Sequence, residues 1–527
     1  LNPLSLLKNA LTGRFFILLV IAFVCGALTH LSFAPYDYQW LAPLALAIFY
    51  ASLLLNDKLS AKSCFWLGLS FGSGLFSFGL RWVHVSIDSF GGLPLVVSLG
   101  LMLLLSLYLA FFSALTCYVF CRLKSANALS NSLLFSSLWV LSEVARGTVL
   151  TGFPWLWLGY SQTEGIFSHN AATIGVIGLT LLICLVATLT ASLVIKRNLA
   201  VTLGLVVTLF TATGLNQLSN INQSEDSISV ALVQGNIEQS AKWQQDQMWP
   251  TIIRYMDLTR ESFAADIIIW PEAAMPAVED WVSDYLHLMD KTANFNDSAI
   301  ITGLISRQSP DGTALSQTSY YYNSLVTLGN AHKKVQPSGD YQPQHSNRYY
   351  KQQLLPIGEF VPFEDLLRPL APLFNLPMSS FHRGSTTQPN LQALGYHIAA
   401  AICYEIAFPE LVRANMTPQT DFILTVSNDA WFGRSIGPHQ HMQIAQMRAI
   451  ELGRPVVRVT NNGITAIVNT HGTIIARLPQ FEQGILRSEV PLVSGQTYFY
   501  RWGQWPIIAL CSLLILGIGF RRLTIDK

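Results

Sequence analysis

The stretch His397 to Glu410 reads HIAAAICYEIAFPE. Its first half, His397 to Ile402, is short, apolar and uninterrupted, which is the pattern of a buried strand. The run stops at Cys403, and Pro409 then opens a helical segment, PELVRAN. A cysteine at the carboxyl end of a buried strand can be turned out of the sheet as a nucleophile. The backbone N–H groups that follow, beginning with Tyr404, can then face an oxyanion. A free thiol with a pKa of roughly 8.5 is only a few per cent thiolate near neutrality, so a working cysteine needs a base and a cation close by.

Both are present. Glu272 lies in DIIIWPEAAMP, where the apolar strand Asp266 to Trp270 is broken by Pro271 and the carboxylate follows at once. Lys351 lies in RYYKQQLLPIGEFVP, with Glu359 eight positions on, after Pro356 and Gly358, where it can orient the lysine. Taken singly, a strand-end cysteine is most often packing, and a lone glutamate or lysine is most often a solvated charge. The three flanking sequences together carry the assignment.

These motifs resemble the Glu-Lys-Cys set of the nitrilase superfamily, and more closely its membrane-bound branch, the apolipoprotein N-acyltransferases. The matching pieces are WPEAAMP around Glu272, YYKQQLLPIGEFVP around Lys351 and Glu359, ICYEIAFPE around Cys403 to Glu405, and NDAWFG from Asn428 to Gly433. The resemblance implies a multi-span α-helical membrane protein with an α/β nitrilase-like α-β-β-α sandwich. It implies Glu272 as general base and acid, Lys351 as oxyanion stabiliser, Cys403 as nucleophile and Glu359 as the partner that orients Lys351. By the same resemblance Trp243, Asn323, Glu405, Trp431 and Phe432 belong to the substrate pocket, with Glu405 in a positioning place. No cofactor and no metal is implied.

Composition bounds the rest. With 527 residues, 51% of them hydrophobic and 12% charged, the chain is too long for one ordinary soluble domain and too apolar for two. A net charge of +1 gives no electrostatic footprint for nucleic acid. No Walker motif, zinc-type Cys/His spacing or glycine-rich dinucleotide fingerprint is found. His439 and His441 are two apart and would not share a helix face, so a metal site is not expected. Of the seven cysteines, Cys25, Cys64, Cys117, Cys121, Cys184 and Cys511 lie in or beside apolar spans and read as small hydrophobes. Cys403 alone lies in the polar region, where it cannot form a structural disulfide.

Apolar spans fall at about Phe15–Leu28, Trp40–Leu55, Cys64–Leu80, Leu93–Cys121, Leu133–Leu141, Ile174–Ile195 and Leu199–Leu215, with another at Trp505–Phe520. Several are short for a hydrocarbon core that needs roughly 20 residues. The fifth also carries Glu143 and Arg146 near its end. The first span is read as retained, since others follow and no small-residue cleavage site is evident. Lys8 and Arg14, Lys58 and Lys62, Arg122 and Lys124, Lys196 and Arg197, and Arg521, Arg522 and Lys527 all fall on one side of these spans, whereas the opposite loops hold only Arg81 and Arg146. The positive-inside rule then puts both termini in the cytoplasm and the polar domain outside it.

The expected organisation is a membrane domain over 1–215, an extracytoplasmic catalytic domain over 216–500 and a last helix with a cytoplasmic tail over 501–527. Within the polar domain, strands are expected near Ile228–Val233, Asp266–Trp270, Ala299–Ile305, Ser324–Leu328, His397–Ile402, Phe422–Val426, Val456–Thr460, Thr465–Asn469, Ile474–Arg477 and Gly484–Val490. Helices fit Gln247–Ala264, Asp280–Asn294 and Gln440–Leu452. Two apolar stretches stand apart. Pro362–Phe381 is either a packed arm or a cover for the site, and FPWLWL, Phe153–Leu158, is either an interfacial aromatic belt or part of such a cover.

By the resemblance, Cys403 takes an acyl chain from a membrane phospholipid as a thioester and passes it to the α-amino group of a diacylglyceryl apolipoprotein, in a bacterial inner membrane. A reason for the spans is physical. At about 0.8 kcal/mol per CH₂, lifting a ~16-carbon chain into water costs on the order of 12 kcal/mol. Two alternatives remain open: a membrane-tethered nitrilase-type amidohydrolase, which would pass the acyl group to water, and a lipid-binding scaffold with a decayed site. Eight spans argue against the first, and intact Glu272, Lys351 and Cys403 against the second.

Overall fold

The computed structural model describes residues 13–56, 59–215, 220–309, 319–329, 341–356, 358–360 and 381–525. They form two units: one from Leu1–His84, Pro94–Ser219 and Thr497–Lys527, the other from Val85–Leu93 and Asn220–Gln496. Of the arm Pro362–Phe381, only Phe381 lies within the described residues.

The first unit is helical. Each of the eight apolar stretches is a helix: Gly13–Thr29, Leu41–Leu54, Ala61–Gly79, Leu95–Leu123, Ala128–Arg146, Ala171–Ile195, Leu199–Leu215 and Trp505–Ile525. Four of these helical segments have the length and apolarity to cross a membrane, and three more are shorter apolar helices. The sequence reading of Leu133–Leu141 was too narrow, because serines lowered the hydropathy around it. Those serines face a neighbouring helix: Ser132 Oγ lies 3.2 Å from Ser192 Oγ, and Ser136 Oγ 3.4 Å from Thr188 Oγ1. Hydroxyls between apolar helices join them. Ala61–Gly79 is diluted by glycine for a similar reason. A Cβ on Gly74 would lie 2.1 Å from the main-chain oxygen of Phe23, and one on Gly26 would lie 1.9 Å from that of Phe71, so these two helices touch backbone to backbone.

Glu143 and Arg146 are satisfied inside this unit. Glu143 accepts from Leu158 N at 2.9 Å and from Thr180 Oγ1 at 2.8 Å, and Arg146 donates to the main-chain oxygens of Phe153 and Trp155 at 3.0 and 2.6 Å. Together they anchor FPWLWL. Trp155, Trp157 and Leu158 are buried, with the Trp155 ring 5.5 Å from that of Trp82 and the Trp157 ring 6.2 Å from that of Tyr160.

The second unit is a sandwich of two six-stranded sheets. The strands are β1 (Ile221–Gln234), β2 (Ile267–Ile269), β3 (Ala299–Gln308), β4 (Tyr320–Leu328), β5 (Arg348–Tyr350), β6 (Leu391–Ala393), β7 (Tyr396–Ile402), β8 (Thr420–Ser427), β9 (Val456–Thr460), β10 (Ala466–Val468), β11 (Ile474–Arg477) and β12 (Gly484–Gly495). One sheet runs β12-β1-β2-β3-β4-β5 and the other β11-β10-β9-β8-β7-β6. β1, β2 and β3 are parallel neighbours, as are β7, β8 and β9, so both sheets are parallel at the centre and antiparallel at the flanks.

Parallel strands covered on both faces read as continuous apolar runs, and III at Ile267–Ile269 and AAAI before Cys403 are such runs. Ile228, Val230, Ile267 and Ile301 meet Ile398, Ile402, Leu424 and Val457 in the core between the sheets. Helices Met248–Arg260 and Ser283–Phe295 cover the outer face of the first sheet, where Ile252, Tyr255, Leu286 and Met289 pack on Ile268, Trp270 and Ile300. Helix Gly437–Leu452, buried at every position but His439, lies against the second sheet and completes four layers. All ten expected strands are present.

Candidate active site

Three strand ends meet at one place. Glu272 follows β2 by two residues of turn, Lys351 follows β5 directly, and Cys403 follows β7 directly. Gly303 on β3 makes room for the first of these turns, since a Cβ there would sit 2.5 Å from Ala273 N and 2.7 Å from the Pro271 oxygen. Lys351 Nζ donates to Glu272 Oε1 at 3.1 Å and to the Glu359 carboxylate at 2.9 Å. Asn323, whose main-chain oxygen accepts from Lys351 N at 2.8 Å, uses its amide nitrogen to bridge Glu272 at 2.8 Å and Glu359 at 3.0 Å. The second oxygen of Glu272 accepts from Asn428 N at 3.0 Å. That bond ties the start of NDAWFG to the carboxylate.

Electrostatics follows from this packing. Burial works against ionisation of Glu272, but Lys351, Lys242 and Asn323 outweigh it and hold the carboxyl below its usual range. Burial likewise opposes the charge on Lys351, and Glu272 and Glu359 overcome it, leaving the ammonium well above its ordinary value. Burial pushes the Cys403 thiol up to about 12, with Glu272 adding to the rise and Lys351 opposing it. The resting site is therefore a protonated thiol beside an ionised carboxylate, which is the pairing a general base needs.

Cys403 has φ +56°, in the left-handed region, where a residue with a Cβ is strained by on the order of 1–3 kcal/mol. Two sets of contacts hold it there. Glu405, fully buried, accepts from Ile402 N at 2.7 Å and Tyr349 Oη at 3.0 Å on one oxygen, and from Gln352 N at 2.6 Å and Gln353 N at 3.0 Å on the other. This clasp joins the strand before the cysteine to the loop after Lys351. Burial pushes the Glu405 carboxyl up to about 7, while the N–H groups of Ile402, Gln353 and Gln352 and the Lys351 charge pull the other way.

The second set lies behind the elbow. Arg458 donates to Asp429 Oδ2 at 2.7 Å and contacts His441 Nδ1 at 3.1 Å, all three side chains being buried. A guanidinium only donates, so His441 Nδ1 accepts and the ring proton sits on Nε2, from which it reaches the Cys403 main-chain oxygen at 3.1 Å. Burial, then Arg458, keeps this imidazole below its usual pKa and neutral. Ser427 donates its single hydroxyl proton to Asp429 Oδ1 at 2.7 Å. Its oxygen stands 3.4 Å from Cys403 Sγ.

Of the remaining sequence-derived residues, Tyr404 is buried, with its ring edge-on to Phe408 at 5.0 Å. Trp243 is 37% exposed beside Lys242. The Trp431 oxygen accepts from Ser86 at 2.7 Å, and the Phe432 ring lies 6.0 Å from that of His441. The sequence reading missed Lys242, Asn428, Ser427, Asp429, His441 and Arg458. Asn428 and Asp429 lay inside the quoted NDAWFG, but His441 was weighed only as half of a metal pair.

Comparison with known proteins adds identity to geometry. Residues 229–500 match the carbon-nitrogen hydrolase family model, and residues 25–189 match the apolipoprotein N-acyltransferase N-terminal domain. The apolipoprotein N-acyltransferase of Shewanella oneidensis is 54% identical over 507 residues, covering 96% of this chain and 95% of its own length. That of Vibrio cholerae is 48% identical over 518 residues, covering 98% and 99%. Among solved structures, a carbon-nitrogen hydrolase from Helicobacter pylori is 12% identical with a TM-score of 0.36, over 54% of this chain and 94% of its own length. A nitrilase-like sandwich, a helical membrane unit and near-full-length relatives of one name lead to one conclusion: this chain belongs to the apolipoprotein N-acyltransferase family.

Proposed function

We propose that this acyltransferase moves an acyl chain from a membrane glycerophospholipid, through a thioester on Cys403, to the α-amino group of the N-terminal diacylglyceryl-cysteine of an apolipoprotein. The observation that carries this reading is the buried Lys351 ammonium, bonded at once to Glu272 and Glu359, beside a protonated cysteine on a strained turn. Glu272 takes the thiol proton, and the sulfur attacks the ester carbonyl. Lys351 and the N–H of Tyr404 hold the oxyanion. Collapse breaks the bond to the glycerol oxygen, Glu272 returns its proton to that oxygen, and a lysophospholipid leaves. The acceptor amine then attacks the thioester and gives its proton to Glu272. Expulsion of the Cys403 sulfur, which takes the proton back, yields the amide and restores the enzyme.

In this reading Glu359 and Asn323 orient Lys351 and Glu272, Glu405 holds the nucleophile turn, and Trp243, Trp431 and Phe432 contact substrate. Residues 1–215 and 501–527 belong to a bacterial inner membrane with both termini in the cytoplasm, and 216–500 work on the periplasmic side. The test is transfer from phospholipid to a diacylglyceryl-cysteine peptide, followed by mass spectrometry of the peptide. Wild type gives the amide, whereas Cys403→Ala, Glu272→Gln and Lys351→Met insert into the membrane and give none. Free fatty acid in place of the amide would make the protein a hydrolase, and full transfer by Cys403→Ala would end the nucleophile assignment.

A further inference from the structure

Lys242 closes the short helix Gln239–Lys242 and is only 3% exposed. Its ammonium donates to the main-chain oxygen of Glu272 at 3.0 Å and lies 5.9 Å from the Trp243 ring, and among the described residues no carboxylate pairs with it directly. An unpaired buried cation is unfavourable by several kcal/mol unless its surroundings are negative. The surroundings supply that charge. Glu272 and Glu359 are two carboxylates around one ammonium, Lys351, so without Lys242 the buried site carries one excess negative charge.

We propose that Lys242 is a positioning residue for the acid–base chemistry: fixed on the main-chain oxygen of Glu272, its charge balances the second carboxylate and keeps Glu272 ionised to receive the Cys403 proton. This rests on the reading of Glu272 as the base. Burial pulls Lys242 down to about 8, with Glu272 and then Cys403 pushing back, so it is charged at neutral pH. Among the described residues, the charged or titratable groups that act most strongly on Glu272 are Lys351 from the loop after β5 and Lys242 from its short helix, with Cys403 facing it from the turn after β7. Glu359 acts through Lys351, and Glu238, on the same short segment as Lys242, is exposed. An opposite charge within about 4–6 Å lowers a carboxyl pKa by about 1–3, and the Lys242 charge, held on the main chain of the same glutamate, acts on Glu272 in that direction.

The test is the pH profile of acyl-enzyme formation, read as the nitrophenol burst from para-nitrophenyl butyrate with the full chain in detergent and with Cys403→Ala as background. Lys242→Met is expected to move the acid limb up by about one pH unit or more, so that the rate on the acid side falls about tenfold while the rate at higher pH recovers. Lys242→Arg is expected to keep the wild-type limb. In Lys242→Met/Glu359→Gln, where charge is balanced again, the limb is expected to move back toward wild type. A purely structural lysine would lower the rate equally at every pH, and an unshifted limb in Lys242→Met overturns the proposal. So does failure of both Met variants to fold, since Lys242 then serves the fold. The limb belongs to Glu272 only if Glu272→Gln removes it; if that variant keeps the wild-type limb, the base assignment itself has failed, whatever Lys242 does.

Discussion

Replacing Glu405 by glutamine tests how the turn that carries Cys403, the proposed nucleophile, is held. The carboxylate takes two donors on each oxygen, three of them main-chain N–H groups of Ile402, Gln352 and Gln353 and the fourth the Tyr349 hydroxyl. An amide offers one acceptor and one donor. Its nitrogen is best placed toward Tyr349, whose hydroxyl can turn to accept, but the Ile402 N–H on that side is then left without a partner. One stranded buried donor costs about 1–3 kcal/mol, and loss of charge assistance in the two bonds that survive adds about 1 kcal/mol. The sum, about 2–4 kcal/mol, falls on the turn that keeps Cys403 at positive φ.

Unfolding in detergent, followed by tryptophan fluorescence at pH 8 so that the carboxylate is ionised, should show Glu405→Gln markedly less stable than wild type. Acyl-enzyme formation should be slowed with little change in ester affinity. Tyr349→Phe removes one of the four donors, and its effect should be about 1 kcal/mol or less, with most activity kept. A Glu405→Gln protein as stable and as fast as wild type would refute the clasp.

Two other outcomes follow from the same structure. Arg458→Met leaves Asp429 buried without its cation, which should cost about 3–5 kcal/mol near neutral pH. In wild type Asp429 is opposed by burial but held well below the ordinary carboxyl range by Arg458, with the Ser427 hydroxyl donating to its other oxygen, so its stabilisation is present above the unfolded value of about 3.9 and lost only as pH falls through the folded one. The variant carboxyl has the opposite shift, so the stability gap should narrow on acidification from pH 7 to 4; a gap that widens would contradict the pairing. For topology, single cysteines at positions 62 and 309 in a Cys403→Ala background, treated with an impermeant thiol reagent in intact spheroplasts, should label at 309 and not at 62. The reverse pattern would invert the orientation.

What was legible in the sequence was whatever produced an uninterrupted local signal. The run before Cys403 and the III before Trp270 announce buried parallel strands because both faces are covered, so no polar alternation breaks them. β5 and β6 went unseen because three residues carry no period, although β5 delivers Lys351. The helix Ala128–Arg146 was clipped because its serines are polar by composition but face the hydroxyls of a neighbouring helix. That Glu272, Lys351 and Cys403 belong together was readable from their flanking motifs, and the strand ends do bring them together. Its supports were not, because Lys242 reaches Glu272 across 30 positions and His441 reaches Cys403 across 38, distances only the fold closes.

The acyl-enzyme itself is the most direct test. Given phospholipid and no acceptor, Cys403 should accumulate as a thioester, since a transferase must keep water from the intermediate until an amine arrives. Intact-mass analysis of the purified chain in detergent should show one added acyl chain, absent in Cys403→Ala, released by neutral hydroxylamine and transferred as an amide when a diacylglyceryl-cysteine peptide is added. Free fatty acid without any mass increase would contradict the transfer mechanism in favour of hydrolysis, and neither product would mean that Cys403 is not a working nucleophile.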